Sequence, residues 1–399
     1  MAISCNICVF LVLVLVLFMD VLESLSITGS STIGINYGQL GNDLPPPKKV
    51  AQLLKGLKIK KVKIYDYNPE ILQAFANTGI EMWIAIPNGD VAAMTDTQQA
   101  MAWLKQNLSP YLPDTKIVGI SVGNEIYTGD DAALMTNLVP AMQSLHVALV
   151  GMGLDSTVKI SSAHSIGVLG NSFPPSAGSV KAELVNYMKP HLEFLALTGA
   201  PFWLNAYPFF AYKDNPVNIS LDYVLFQPNQ GMNDPNTNLH YDNMLHAQMD
   251  AVYTAVTAMG YGNLEVRVSE TGWPSMGDSD EIGASIKNAA RYNRNLLLRL
   301  AQNQGTPLRP TASLQAYIFA LFNENQKPGP TSERNYGLYK PDGTMVYPVG
   351  LGRGSSTNSL SAFTNSAQGG FDHLKSLELR IMILLGLLCF FFLVRAVDK

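Results

Sequence analysis

Between about residues 32 and 350, short apolar runs rich in β-branched residues alternate with longer stretches of helical period. The runs are Thr32–Tyr37, Lys61–Tyr65, Met82–Pro87, Lys116–Val122, Val158–Ala163, Phe202–Tyr207, Glu265–Ser269 and Ser313–Phe319. Each is short and largely apolar, the pattern of a strand buried on both faces. The segments between them carry helix punctuation. Asn68-Pro69 reads as an N-cap with proline at the first helical position, and Gly79 is placed to close that helix. Asp43-Leu44-Pro45 is placed to open a helix running to Leu57. A long helix is expected over Ile282 to Gln304, where Ile286, Ala289, Ala290, Leu297 and Leu300 recur at roughly helical spacing. Eight β–α alternations without a Gly-rich phosphate loop predict an α/β fold, a closed (β/α)8 TIM barrel, over a doubly wound sheet. Pro208 to Asn243 is too long for a plain βα loop and rich in Asn, Asp, Pro and aromatics. It predicts a small insertion after the sixth strand, on the catalytic face.

The two ends break this rhythm. Val9 to Met19 is an uninterrupted apolar stretch, followed by the small-x-small triplet Ser24-Leu25-Ser26. That is the size and flank of a signal peptide over residues 1–26, although no Lys or Arg precedes the apolar run. Residues 27–350 then form the catalytic domain, and 351–370, rich in Ser, Gly and Asn, a flexible stalk. Within 371–399 the apolar run Ile381 to Val394 reaches only about 21 Å as a helix, against a hydrocarbon core of about 30 Å. Small residues at Asn365-Ser366-Ala367 or Gly354-Ser355-Ser356, a spacer and a short tail make the pattern of a GPI attachment signal. Arg395, Asp398 and Lys399 follow the tail, and a short spanning helix is the rival reading.

Composition narrows the function classes. The chain has 399 residues, 47% hydrophobic and 15% charged, enough apolar matter for a large core. A net charge of −4 offers no basic patch for nucleic acid. Its three cysteines, Cys5, Cys8 and Cys389, lie in or beside the terminal apolar runs, so the mature domain is expected to hold neither disulfide nor thiolate chemistry. His164 follows the fifth strand, and His240 and His246 end the insertion. None has a second ligand at metal spacing, so no metal and no cofactor are expected. The sequons Asn107-Leu108-Ser109 and Asn218-Ile219-Ser220 suit an exported glycoprotein, the first weakened by Pro110.

Barrel chemistry sits at the C-terminal ends of the strands. The fourth runs through Ile117–Val122 into Gly123-Asn124-Glu125, and the seventh through Val266–Ser269 into Glu270-Thr271-Gly272-Trp273-Pro274. Two glutamates on strands three apart face each other across the mouth. That arrangement suits glycoside hydrolysis, one carboxyl protonating the leaving oxygen while the other attacks the anomeric carbon or activates water. Tyr37, Tyr207, Phe209, Phe210, Trp273 and Phe322 lie at or just past strand ends, where rings can stack on sugar faces or simply pack the barrel.

Four blocks resemble the signatures of glycoside hydrolase family 17, the plant endo-1,3-β-glucanases. They are Ile33-Gly34-Ile35-Asn36-Tyr37-Gly38, Val122-Gly123-Asn124-Glu125, Ser269-Glu270-Thr271-Gly272-Trp273-Pro274-Ser275 and Phe322-Asn323-Glu324-Asn325-Gln326-Lys327-Pro328-Gly329. The resemblance spans the whole barrel. It implies Glu125 as acid/base and Glu270 as nucleophile of a retaining mechanism, with Glu324, Lys327 and Glu333 as a charged cluster beside them. Asn124 is then a partner for the sugar 2-hydroxyl. The implied reaction is endo-hydrolysis of a 1,3-β-glucan such as callose, by a monomer at the outer face of the plasma membrane and in the cell wall. The cysteine-rich carbohydrate-binding module of some relatives has no counterpart after residue 350. A 1,3;1,4-β-glucanase or transglycosylase on the same barrel, and a non-catalytic glucan-binding surface protein, remain the alternatives.

Overall fold

A computed structural model describes residues 32–351. The amino-terminal apolar run, the stalk, the tail with its candidate attachment sites and all three cysteines lie outside the described residues.

All eight expected strands form: β1 Ile33–Asn36, β2 Lys61–Lys63, β3 Glu81–Ile86, β4 Ile117–Asn124, β5 Lys159–Ser165, β6 Phe202–Asn205, β7 Val266–Thr271 and β8 Ala316–Ile318. Each pairs in parallel with its sequence neighbours, and β1 closes on β8, giving a barrel. Helices return the chain outside it. The longest, Ala132–Gly151, is apolar and long enough to cross a membrane by length and composition. Its Leu138, Met142, Leu145 and Leu149, at steps of four, three and four, form a stripe buried in the fold. Each such burial contributes roughly 1.5–3 kcal/mol.

Helix ends follow local chemistry, with three differences from the sequence reading. Asn68 caps Pro69–Ala74 by accepting the Glu70 amide, but that helix stops five residues before Gly79, which instead takes a left-handed turn into β3. The first helix begins at Pro47 and not near Asp43, because Pro46 is still extended. The last covers Ile286–Ala301, shorter than Ile282 to Gln304. Gly283, at φ 97°, breaks the chain before it, Ser285 caps it, and Asn303, at φ 53°, turns the chain out.

The inside of the barrel is layered. Trp83, Trp203 and Tyr317 stack edge to face at 5.0 and 5.3 Å and fill the floor. Gly119 on β4 has to be glycine there, since a Cβ would run into the Trp83 ring. Above the floor the interior turns polar, with Asn36, Lys63, Asn205 and Ser269 all buried. The expected insertion after β6 consists of helices Pro208–Asp214 and Leu221–Val224 and the hairpin Met232–Asn233/His240–Tyr241. A second small hairpin, Leu169–Asn171/Ser179–Val180, follows β5 and was not anticipated.

Candidate active site

Both glutamates follow an irregularity in strand register. The β4–β5 pairing slips between Ser121 and Asn124, and the β6–β7 pairing between Val268 and Glu270. Such bulges re-aim the side chains that follow them. Glu125 itself is left-handed, at φ 55° and ψ 29°, a conformation that costs a non-glycine residue of order 1–3 kcal/mol. The surroundings hold it there. Its amide donates to the Ala163 carbonyl at 2.8 Å, and the Asn88 side chain brackets the preceding peptide, accepting from the Asn124 amide and donating to its carbonyl.

The two carboxyls line one open cleft of about 500 Å³, together with Asn124, Asn205, Tyr207, Phe210, Lys327 and Glu333. Their settings differ. Asn205 Nδ2 donates to Glu125 Oε1 at 2.9 Å and lies 3.3 Å from Asn124 Oδ1. Burial, then the charge of Glu270, raises the Glu125 pKa above its ordinary value, against the Asn205 hydrogen bond and the Lys63 charge. Glu270 accepts from Tyr207 OH at 2.9 Å on Oε2 and from Lys63 Nζ at 3.3 Å on Oε1. Lys63 also donates to Ser269 Oγ and is buried. Since β2 and β7 are not neighbours, these contacts cross the barrel interior. Burial lowers the Lys63 pKa, and Glu270 and Glu125 oppose that fall. The Tyr65 hydroxyl is buried without a well-formed hydrogen bond, and burial followed by the charge of Glu270 pushes its pKa well up. The pair therefore comprises one carboxyl biased toward its protonated form and another held by a cation and a phenol, the division of roles that acid-assisted displacement needs.

This cleft stands on a match of residues 33–351 to the glycosyl hydrolases family 17 model. The chain belongs to that family. It is 54% identical over 326 residues to glucan endo-1,3-beta-glucosidase 11 of Arabidopsis thaliana, covering 81% of this chain and 76% of the relative. It is 51% identical over 343 residues to glucan endo-1,3-beta-glucosidase 14 of the same plant, covering 86% and 87%. Among solved structures, a beta-1,3-glucanase and pollen allergen of Cryptomeria japonica superposes with a TM-score of 0.77 at 40% identity, over 81% of this chain and all of that one. One of two plant beta-glucan endohydrolases described as having distinct substrate specificities gives 0.74 at 36%, over 80% and 100%.

The other residues singled out in this family 17 chain divide in two. Lys327 and Glu333 pair at 3.3 Å in the cleft, with the Lys327 ammonium 4.3 Å from the Phe319 ring centre. Glu324 is buried, accepts the Leu40 amide, and fits because Gly38 has no Cβ to strike its carboxyl. Burial raises its pKa, against the Leu40 hydrogen bond and the Lys327 charge. Of the expected stacking rings, Tyr207 lines the cleft, engaged with Glu270. Phe210 lines it too, but Trp273, Phe209, Tyr37 and Phe322 need correcting. Trp273 and Phe209 are fully buried, packed on each other at 5.2 Å, and Trp273 Nε1 donates to the Gly283 carbonyl. Tyr37 and Phe322 are buried edge to face at 6.2 Å. Strand-end position brings a ring near the mouth, but the side of the chain it leaves from decides whether it enters the core or the cleft. Phe210 shows this: one helical step past Phe209, it faces the cleft.

Lys63 and Asn205 were missed in the sequence. Lys63 carried a usable signal, a cation inside a strand expected to be buried on both faces. Asn205 had only its place at the end of β6. His164 and His191 meet at 3.3 Å through their Nε2 atoms, fully buried, and no group of His, Cys, Asp or Glu suited to a metal occurs among the described residues.

Proposed function

We propose that this chain is an endo-acting 1,3-β-glucanase that cleaves internal 1,3-β-D-glucosidic bonds by double displacement. Glu270 attacks the anomeric carbon while Glu125 protonates the departing oxygen; Glu125, then a base, draws the proton from the water that frees the glycosyl ester. The observation that carries the reading is the asymmetry of the two carboxyls in one cleft: burial and a neighbouring charge raise the Glu125 pKa and favour its protonated form, and Lys63 with Tyr207 orients Glu270. The 1,3-β linkage is supported by the names of relatives above 50% identity. Asn124, in the cleft and touching Asn205, is positioned for the sugar 2-hydroxyl. Lys327 and Glu333 extend the polar wall, and Phe210 supplies an apolar face for a pyranose.

The terminal sequences support export and attachment to the outer membrane face by a lipid anchor, with the enzyme acting as a monomer in the wall. Of the two sequons, Asn218 is the better acceptor. It is exposed on the insertion, whereas Asn107 ends a helix, half-buried, with its amide donating to the Trp103 carbonyl.

The deciding experiment is proton NMR of a 1,3-β-gluco-oligosaccharide during digestion. New β-anomer appearing before mutarotation is the expected result. The α-anomer first would overturn double displacement, and no cleavage by folded protein would overturn the substrate.

A further inference from the structure

The loop that leaves β7 commits two carboxylates to a single turn remote from it in sequence. Asp278 accepts the Thr331 amide at 2.9 Å on one oxygen and the Thr331 hydroxyl at 2.5 Å on the other. Glu281 does the same for the next residue, taking the Ser332 amide at 2.9 Å on Oε2 and the Ser332 hydroxyl on Oε1. The partners stand 53 and 51 positions apart. Thr331–Arg334 is one turn of 3-10 helix, and Pro330 before it offers no side chain to its first amides. The two carboxylates supply those acceptors instead, through charge-assisted hydrogen bonds.

The clasp is tightly built. Glu281 and Ser332 are both buried. Glu281 Oε2 also accepts the Asp278 amide at 2.9 Å, which ties the two acids to each other. Gly277 leaves room for them, since a Cβ there would run into the Glu281 side chain. A further tie closes the far end of the turn: the Ser275 amide and hydroxyl both donate to the Asn335 carbonyl, at 2.8 and 2.9 Å. Residues 331, 332 and 335 are thus each fastened to the loop after β7.

What the clasp presents is the residue it skips. Glu333, next after Ser332, lines the cleft and meets Lys327 Nζ at 3.3 Å. Arg334 then turns back to donate to the Lys327 and Gly329 carbonyls at 3.2 and 2.9 Å. One turn therefore fixes both members of the ion pair, Glu333 through the clasp and Lys327 through Arg334. A partly exposed ion pair does not hold its own geometry, so that geometry has to be imposed from behind. Asp278 and Glu281 stand behind it, outside the cleft lining. We propose that Asp278 and Glu281 are positioning residues for the cleft, acting through Thr331 and Ser332 to hold Glu333 and Lys327 against the bound glucan. The glucan's part in this rests on the hydrolase reading above; the hold on Glu333 does not.

The test compares wild type with Asp278→Ala, Glu281→Ala and Glu281→Gln, and repeats Glu281→Ala in a Glu333→Gln background. Both alanine variants should lower kcat/KM on 1,3-β-gluco-oligosaccharides about tenfold, less than the roughly 10²-fold that a 1 Å misplacement can cost. Glu281→Gln keeps an oxygen for the two amides and can turn its own amide toward the Ser332 hydroxyl, so it should stay close to wild type. In the Glu333→Gln background the further loss from Glu281→Ala should shrink to under about twofold, because the clasp works through Glu333. A second readout needs no turnover. Glu125 feels the charges of Glu270, Lys63 and Glu333, and Glu333 raises its pKa. Loosening Glu333 should therefore move the Glu125 titration, followed by ¹³C NMR, downward, and by no more than Glu333→Gln moves it. A full tenfold loss in the Glu333→Gln background, or a Glu125 titration unmoved in both alanine variants, would overturn the positioning role and leave a structural brace. Should Glu281→Ala fail to fold, Asp278→Ala, at an exposed side chain, carries both readouts. Wild type inactive on every 1,3-β-glucan would remove the hydrolase reading, while the Glu125 titration would still decide the clasp.

Discussion

Replacing Glu270 by Gln removes a charge beside Glu125 and keeps the side chain's shape, so it isolates the electrostatic link between the two carboxyls. Glu125 sits above the ordinary carboxyl value of 4.5, first because it is buried and next because Glu270 is charged. In Glu270→Gln the second cause disappears, while burial and the opposing Asn205 and Lys63 contacts stay. The Glu125 pKa must then fall. Double displacement requires carboxyls about 5.5 Å apart; unit charges at that distance repel by roughly 3 kcal/mol at an effective dielectric of 20 and by under about 1 kcal/mol in bulk water. At about 1.36 kcal/mol per pKa unit, the fall is between about half a unit and two units, larger the drier the cleft. The assay is a pH titration of the glutamate carboxyl carbons by ¹³C NMR, with the Glu125 signal assigned by its loss in Glu125→Gln. A Glu125 titration that stays put or rises in Glu270→Gln would refute the coupling. The same logic bears on the reaction: esterifying Glu270 also removes its charge, so Glu125 becomes a weaker proton holder when it must act as a base.

The Glu270→Gln protein should remain folded, with kcat at least about 10³-fold lower, because a nucleophile is lost; near-normal turnover in a glycan digest would dismiss that role. Glu125→Gln should lose most on poor leaving groups and least on activated aryl glycosides, and equal losses on both would argue against proton donation. Lys63→Met should lower kcat tenfold or more and destabilise the fold by up to about 3–5 kcal/mol, as breaking a buried ion pair does, with Lys63→Arg recovering part of both; denaturant melts and kinetics with both variants at wild-type values would remove Lys63 from the site. Burial pushes His191 down to about 3 and His164 well below 6.5. Both are therefore neutral in the fold, and their stabilisation, complete above pH 6.5, is lost as pH falls below it, at about 1.4 kcal/mol per pH unit for each. His191→Phe should flatten that slope in thermal melts between pH 7.5 and 5, and an unchanged slope would show that acid lability arises elsewhere.

The barrel was legible because its signals are local. Eight apolar runs of strand length and the cap at Asn68 act within a few residues of themselves, and each strand falls inside or overlaps its expected run. Helix ends were less legible, since Gly283 and Asn303 close the last helix through backbone conformations that apolar spacing does not reveal. The rings failed for a related reason. Trp273 stands at a strand end and in a signature block, yet its indole donates to Gly283 and packs among Phe209, Tyr212 and Tyr292. Adjacency to a catalytic strand end fixes position along the chain, while the direction of a side chain depends on neighbours that are remote in sequence.

The same limit explains why two glutamates could be found and their partners could not. Glu125 and Glu270 end apolar strands, and a carboxyl there is conspicuous in one dimension. Lys63 reaches Glu270 across 207 positions, and Asn205 reaches Glu125 across 80, both through the interior of a closed barrel. Closure brings strand ends face to face without regard to sequence distance, so it is closure, together with the register slips before each glutamate, that turns two separate acids into an unequal pair.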